Sequence, residues 1–78
     1  MQVDVHLHGI LRDHLPREAR GRTTVQMKEG ATVSDLLDQL GIERRVIAAV
    51  NGDEKDRAHV LEDGARVSIF TVIGGGAS

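Results

Sequence analysis

Seventy-eight residues carrying ten basic and twelve acidic side chains, net charge −2, make one small domain that buries only about 60% of its unfolded surface and has little room for an enclosed active site beside its core. The absence of cysteine excludes a disulfide framework, a thiolate nucleophile and a cysteine-based zinc site. No block of like charge is long enough to follow a phosphate backbone, and Phe70 is the single aromatic residue, so nucleic-acid binding is not expected.

The opening segment, Met1-Gln2-Val3-Asp4-Val5, carries charge where a secretory leader would carry an apolar run, and no apolar stretch approaches the roughly 20 residues of a membrane span. A cytoplasmic setting without membrane contact is the expectation. From Gln2 to His8 the sequence alternates, with Val3, Val5 and Leu7 on one face and Asp4, His6 and His8 on the other, the pattern of a half-buried strand. Gly9 marks a turn, Leu11, Leu15 and the Pro16 break imply a short helical turn, and Arg17 to Arg22 reads as an exposed charged loop. Thr23 to Met27 alternates again, Val25 and Met27 inward, as the second arm of a hairpin.

Gly30 ends that arm, and Thr32 is placed to cap a helix whose first turn holds Asp35. Val33, Leu36, Leu37 and Leu40 then fall on one helical face, and Gly41 supplies the stop. Val46 to Val50 is a short apolar run closed by Asn51-Gly52, a hairpin signal. The mixed charges of Glu43-Arg44-Arg45 and of Asp53 to Arg57 read as solvated turns, with Val60-Leu61 as a brief edge segment before Asp63-Gly64. Arg66 to Val72 is the last strand, with Val67 and Ile69 on one face and Ser68, Phe70 and Val72 on the other. The expected core is Val3, Val5, Leu7, Val25, Leu36, Leu37, Leu40, Val50, Val67 and Ile69.

The order is strand, strand, helix, strand, weak strand, strand. It predicts an α+β domain, a mixed four- to five-stranded sheet with one main helix packed on one face and the first and last strands parallel at its centre. This is the β-grasp, or ubiquitin-like, arrangement. The domain is expected to span residues 1–73, and residues 74–78, Gly74-Gly75-Gly76-Ala77-Ser78, to form a flexible tail.

Several stretches resemble one known family. His8-Gly9-Ile10-Leu11-Arg12-Asp13 is similar to the aromatic-Gly-x-Leu-Arg-Glu opening of the small subunit of molybdopterin synthase, with His8 where the aromatic usually stands. Glu29 to Leu37 resembles that family's strand-to-helix junction, Ala49-Val50-Asn51-Gly52 its third strand and turn, and Leu61 to Val67 its approach to the last strand. The finish, Phe70 to Gly76, is similar to the ends of the thiamin-pathway sulfur carrier and its relatives. The likeness, to ubiquitin-like sulfur carriers of the MoaD/ThiS family, runs through nearly the whole chain in order.

The resemblance implies a carrier rather than an enzyme: a substrate protein, or the small subunit of a synthase complex, with Gly75 and Gly76 matching the family's terminal pair. It also implies an ATP-dependent adenylating partner, related to ubiquitin-activating enzymes, and a sulfur-accepting synthase subunit. ATP and Mg²⁺ are expected on the activating partner, since this chain has no P-loop and is expected to bind no cofactor or metal itself. A carboxylate becomes an acyl donor once it is a mixed anhydride with AMP, and sulfur can then displace AMP to leave a thiocarboxylate on Gly76. Glycines suit such a terminus because, lacking Cβ, they thread narrow channels. The chain continues to Ala77-Ser78, so a trimming step is expected before Gly76 can react, by analogy the work of a metalloprotease.

Three functions stay open: sulfur carrier, protein modifier joined to lysines, or β-grasp binding module without tail chemistry. The pathway served, whether molybdopterin, thiamin or another, stays open as well. Phe70 and Val72 face away from the helix and, with Ile73 and Gly74 at the stem of the tail, form the candidate partner-binding surface; the alternative is a rim residue covered by a loop. His6 and His8, two apart on a strand, have a spacing that can hold a metal, but no third histidine is predicted beside them, and solvated imidazoles are the expectation.

Overall fold

A computed structural model describes residues 1–72. Ile73, Gly74 and the expected tail, with Gly75 and Gly76 in it, lie outside the described residues. Five strands, β1 (Gln2–Leu7), β2 (Arg22–Gln26), β3 (Val46–Val50), β4 (Asp53–Lys55) and β5 (Arg66–Thr71), and one helix, α1 (Val33–Leu40), form the domain. The sheet order is β2-β1-β5-β3-β4. The two central strands, β1 and β5, are parallel with Val5 opposite Val67 and Leu7 opposite Ile69; the other pairs are antiparallel. This is the β-grasp fold.

The alternation of β1 and β5 decides which face is covered. Val3, Val5, Leu7, Val67 and Ile69 are buried beneath Val33, Leu36 and Leu37 of α1, joined by Leu11, Ile42, Ala48, Leu61 and Ala65. Leu40, expected in the core, sits half-buried at its margin, because it is the last residue of a short helix and lies where the chain turns away. The helix start is a capping box: the Asp35 amide donates to Thr32 Oγ1 at 3.2 Å and the Thr32 amide to Asp35 Oδ2 at 2.9 Å, satisfying two amides that lack partners within the helix. Gly41, at φ +75°, closes it.

Two expectations are corrected. Asp53–Lys55, read as part of a solvated turn, is the edge strand β4, whereas Val60 forms only an isolated bridge to Thr32. All three β4 side chains are exposed, so the strand carries no alternation and is held by backbone pairing alone. Asn51 and Gly52, at φ +51° and +93°, make the two-residue turn that aligns Asp53 with Val50. Asn51 also ties this hairpin to β5: its amide donates to the Arg66 carbonyl at 2.8 Å and its Oδ1 accepts from the Arg66 amide at 3.0 Å.

Arg17 to Arg22, expected as a loop, contains a 3₁₀ turn, Arg17–Ala19, and the first residue of β2. The preceding helical turn is a 3₁₀ segment, Gly9–His14. Gly21 is buried between them. Its φ is +79°, its carbonyl accepts from the Leu7 amide at 2.6 Å, and a Cβ would come within 2.4 Å of the Leu7 carbonyl oxygen, so only glycine fits. No helix among the described residues is long and apolar enough to cross a membrane.

Candidate functional site

The candidate site is the end of the sheet at which β5 finishes. β5, flanked by β1 and β3, delivers Phe70 and Thr71 there, and Val72 follows it. Because β5 alternates, Val67 and Ile69 point to the helix while Phe70 emerges on the opposite face, 39% exposed; Val72, one residue past the strand, is 39% exposed as well. Phe70 therefore lies on the face the sequence expects, whereas the strand expected to reach Val72 ends at Thr71. Ile47 of β3 stands opposite Phe70 in register and is 36% exposed, an apolar neighbour that the sequence reading passed over although Val46–Val50 alternation puts it on this face.

His8 completes the surface. It follows Leu7 at the end of β1, its amide donates to the Ile69 carbonyl at 3.0 Å, and its ring stacks on Phe70 with centroids 4.2 Å apart and planes 12° apart. The imidazole thus fills the aromatic position with a flat ring of its own. His6 also packs against His8, centroid to centroid 4.0 Å, tilted by 42°. The three rings form a bent row, along β1 from His6 to His8 and then across to Phe70 of β5. The Nε2 atom of His8 is buried without a hydrogen-bond partner among the described residues.

The electrostatics of this row are positive. The proton affinity of His6 is lowered below its ordinary value, first by desolvation and then by the charges of His8, Arg22 and Arg12. His14 and His59 do not join the pair, and no group of three or more possible metal ligands occurs among the described residues. The outer face is shallow: Asp4, His6, Arg22, Thr24, Arg66 and Ser68 line an open groove running along β1, in which Thr24 donates its hydroxyl to Asp4 Oδ1 at 3.2 Å. Nothing in this arrangement pairs a nucleophile with a base. What it offers is an aromatic and apolar surface beside the last residues of β5, held on two central strands. Gly75 and Gly76, the expected reactive pair, lie outside the described residues, as do Ile73 and Gly74.

The sequence model of the ThiS family matches residues 14–76. No curated protein matches the chain. Among solved structures, small archaeal modifier protein 1 of Haloferax volcanii superposes in two crystal structures with TM-scores of 0.75 at 17% identity, covering 97% and 92% of this chain and 100% and 98% of the other. A Pyrococcus furiosus protein solved as molybdopterin converting factor, subunit 1, superposes with a TM-score of 0.77 at 22% identity, over 94% of this chain and 99% of that one. At these identities the likeness concerns the fold.

Proposed function

The chain belongs to the ThiS family, and from that premise we propose that it is a sulfur carrier whose working group is the carboxylate of Gly76. The observation that carries this reading is the extent of the family match, which runs through the last strand and ends at Gly76, leaving Ala77 and Ser78 beyond it. Removal of those two residues frees the carboxylate. An ATP-dependent adenylating enzyme supplies nucleotide and Mg²⁺; the carboxylate oxygen attacks the α-phosphorus of ATP, pyrophosphate leaves, and the terminus becomes an acyl adenylate. Attack by a persulfide or sulfide sulfur on the acyl carbon expels AMP and leaves a thiocarboxylate, which a synthase subunit then accepts. The chain's own part is to present the tail from the Phe70 surface. It binds no cofactor, and its setting is the cytoplasm.

The protein modifier shares every step up to the adenylate and differs in the final nucleophile, an amine in place of sulfur. The name of the Haloferax volcanii neighbour, a modifier protein, favours keeping this second reading beside the first. Mass spectrometry of the protein isolated from its own cells separates them. Exchange of one terminal oxygen for sulfur on a chain ending at Gly76 is the expected result; a Gly76 remnant on lysines of other proteins without any thiocarboxylate would establish the modifier instead.

A further inference from the structure

The tail end of the molecule carries a charge that the composition hides. Leu7 of β1 lies opposite Ile69 of the parallel β5, so the connection from β1 to β2 leaves the sheet at the end where β5 finishes. Val46 pairs with Thr71, which brings the connection from α1 to β3 to the same end. These segments and the first residue of β2 carry Arg12, Arg17, Arg20, Arg22, Arg44 and Arg45, all exposed, against Asp13, Glu18 and Glu43. The rest of the chain holds four basic and nine acidic side chains. A protein of negative net charge is thus positive around the root of its tail.

Three of these arginines converge. Arg12, Arg20 and Arg22 border a concavity of about 510 Å³ together with His6 and His8, and no carboxylate lines it. Gly21 lets Arg12 lie down over the backbone, since a Cβ there would stand 2.9 Å from the Arg12 Cγ. Arg12 and Arg22, whose charges disfavour a proton on His6, disfavour a metal cation on the His6–His8 pair by the same repulsion. The concavity therefore suits an anion. Its arginines are exposed, and the His8–Phe70 stack at 4.2 Å makes it continuous with the apolar surface. A small anion would use the charge alone, whereas a protein that takes up the tail covers both.

We propose that the arginine-rich end docks against an acidic rim on the activating enzyme, with carboxylates of that partner opposite Arg12, Arg20 and Arg22 and apolar side chains over Phe70 and Val72. This rests on the sulfur-carrier reading of the tail. Such rim charges act mainly through encounter, so they govern the concentration of carrier needed more than the turnover of the bound complex.

The test measures pyrophosphate release by the cognate activating enzyme with ATP, as a function of the concentration of carrier ending at Gly76, at low and high salt. Arg20→Glu/Arg22→Glu is expected to raise KM about tenfold or more at low salt with kcat preserved, and to flatten the rise of KM with salt. Lys55→Glu/Arg57→Glu makes the same change in net charge at residues away from this end and is expected to keep the wild-type KM. Arg20→Gln/Arg22→Gln, with a smaller rise in the same direction, guards against a folding defect in the reversal variant. Equal KM values for the reversal variant and the wild type overturn the inference while leaving the carrier reading intact. No pyrophosphate release with the wild type overturns both. Saturable micromolar binding of inorganic tripolyphosphate by the free protein, with shifts confined to Arg12, Arg20 and Arg22, makes the concavity a small-anion receptor and overturns the assignment to a protein partner.

Discussion

At the scale of single residues, Phe70 and His6 carry the sharpest expectations. Phe70 is partly exposed and stacked on His8, so truncation removes contact area from the surface more than from the core. Phe70→Ala is expected to weaken binding to the activating enzyme about tenfold or more, the scale of an aromatic anchor at an interface, while costing the fold only about 1 kcal/mol. Titration calorimetry beside thermal melting separates the two; equal and large losses in both would make Phe70 a core residue. His6 gives a pH dependence. Its folded-state proton affinity lies below the ordinary value of 6.5, so the unfolded chain binds the proton more readily and acidification favours unfolding. The His6 contribution to stability is complete above pH 6.5 and is lost as pH falls through the lower folded-state value. His6→Gln is expected to shrink the drop in melting temperature over that window; an unchanged drop would mean that other groups cause it.

The elements show what the sequence made legible and where it fell silent. Helix α1 was readable to its ends because three independent signals agree there: the Thr32–Asp35 box, the apolar face from Val33 to Leu40, and Gly41. Leu37 is fully buried under the sheet, and Leu37→Ala is expected to cost about 2 to 5 kcal/mol in denaturant unfolding, a large share of the roughly 5 to 15 kcal/mol that holds a small domain. A change near zero would detach the helix from the core. Strand β4 was not readable, since Asp53, Glu54 and Lys55 are all exposed and its pairing depends on the Asn51–Gly52 turn. The outer face was half readable. Alternation placed Phe70, but the pairing of Ile47 with Phe70 is a matter of register between strands that are distant in sequence, and register leaves no mark in either strand alone. The concavity of Arg12, Arg20 and Arg22 likewise depends on two 3₁₀ turns folding back over Gly21.

At the scale of the whole molecule, parallel β1 and β5 at the centre of the sheet bring the stacked rings, the arginine-bearing connections and the last residue of β5 to one end. The helix covers the other face and takes no part in that surface. The domain has no enclosed site of its own among the described residues, and the proposed chemistry belongs to a terminus handed to other proteins. The central claim is that this terminus is Gly76. It is tested most directly by mixing the chain ending at Gly76, and separately the chain ending at Ser78, with the cognate adenylating enzyme and ATP and measuring pyrophosphate release. The account predicts release with the chain ending at Gly76 and none above background with the chain ending at Ser78; equal release from both would contradict it.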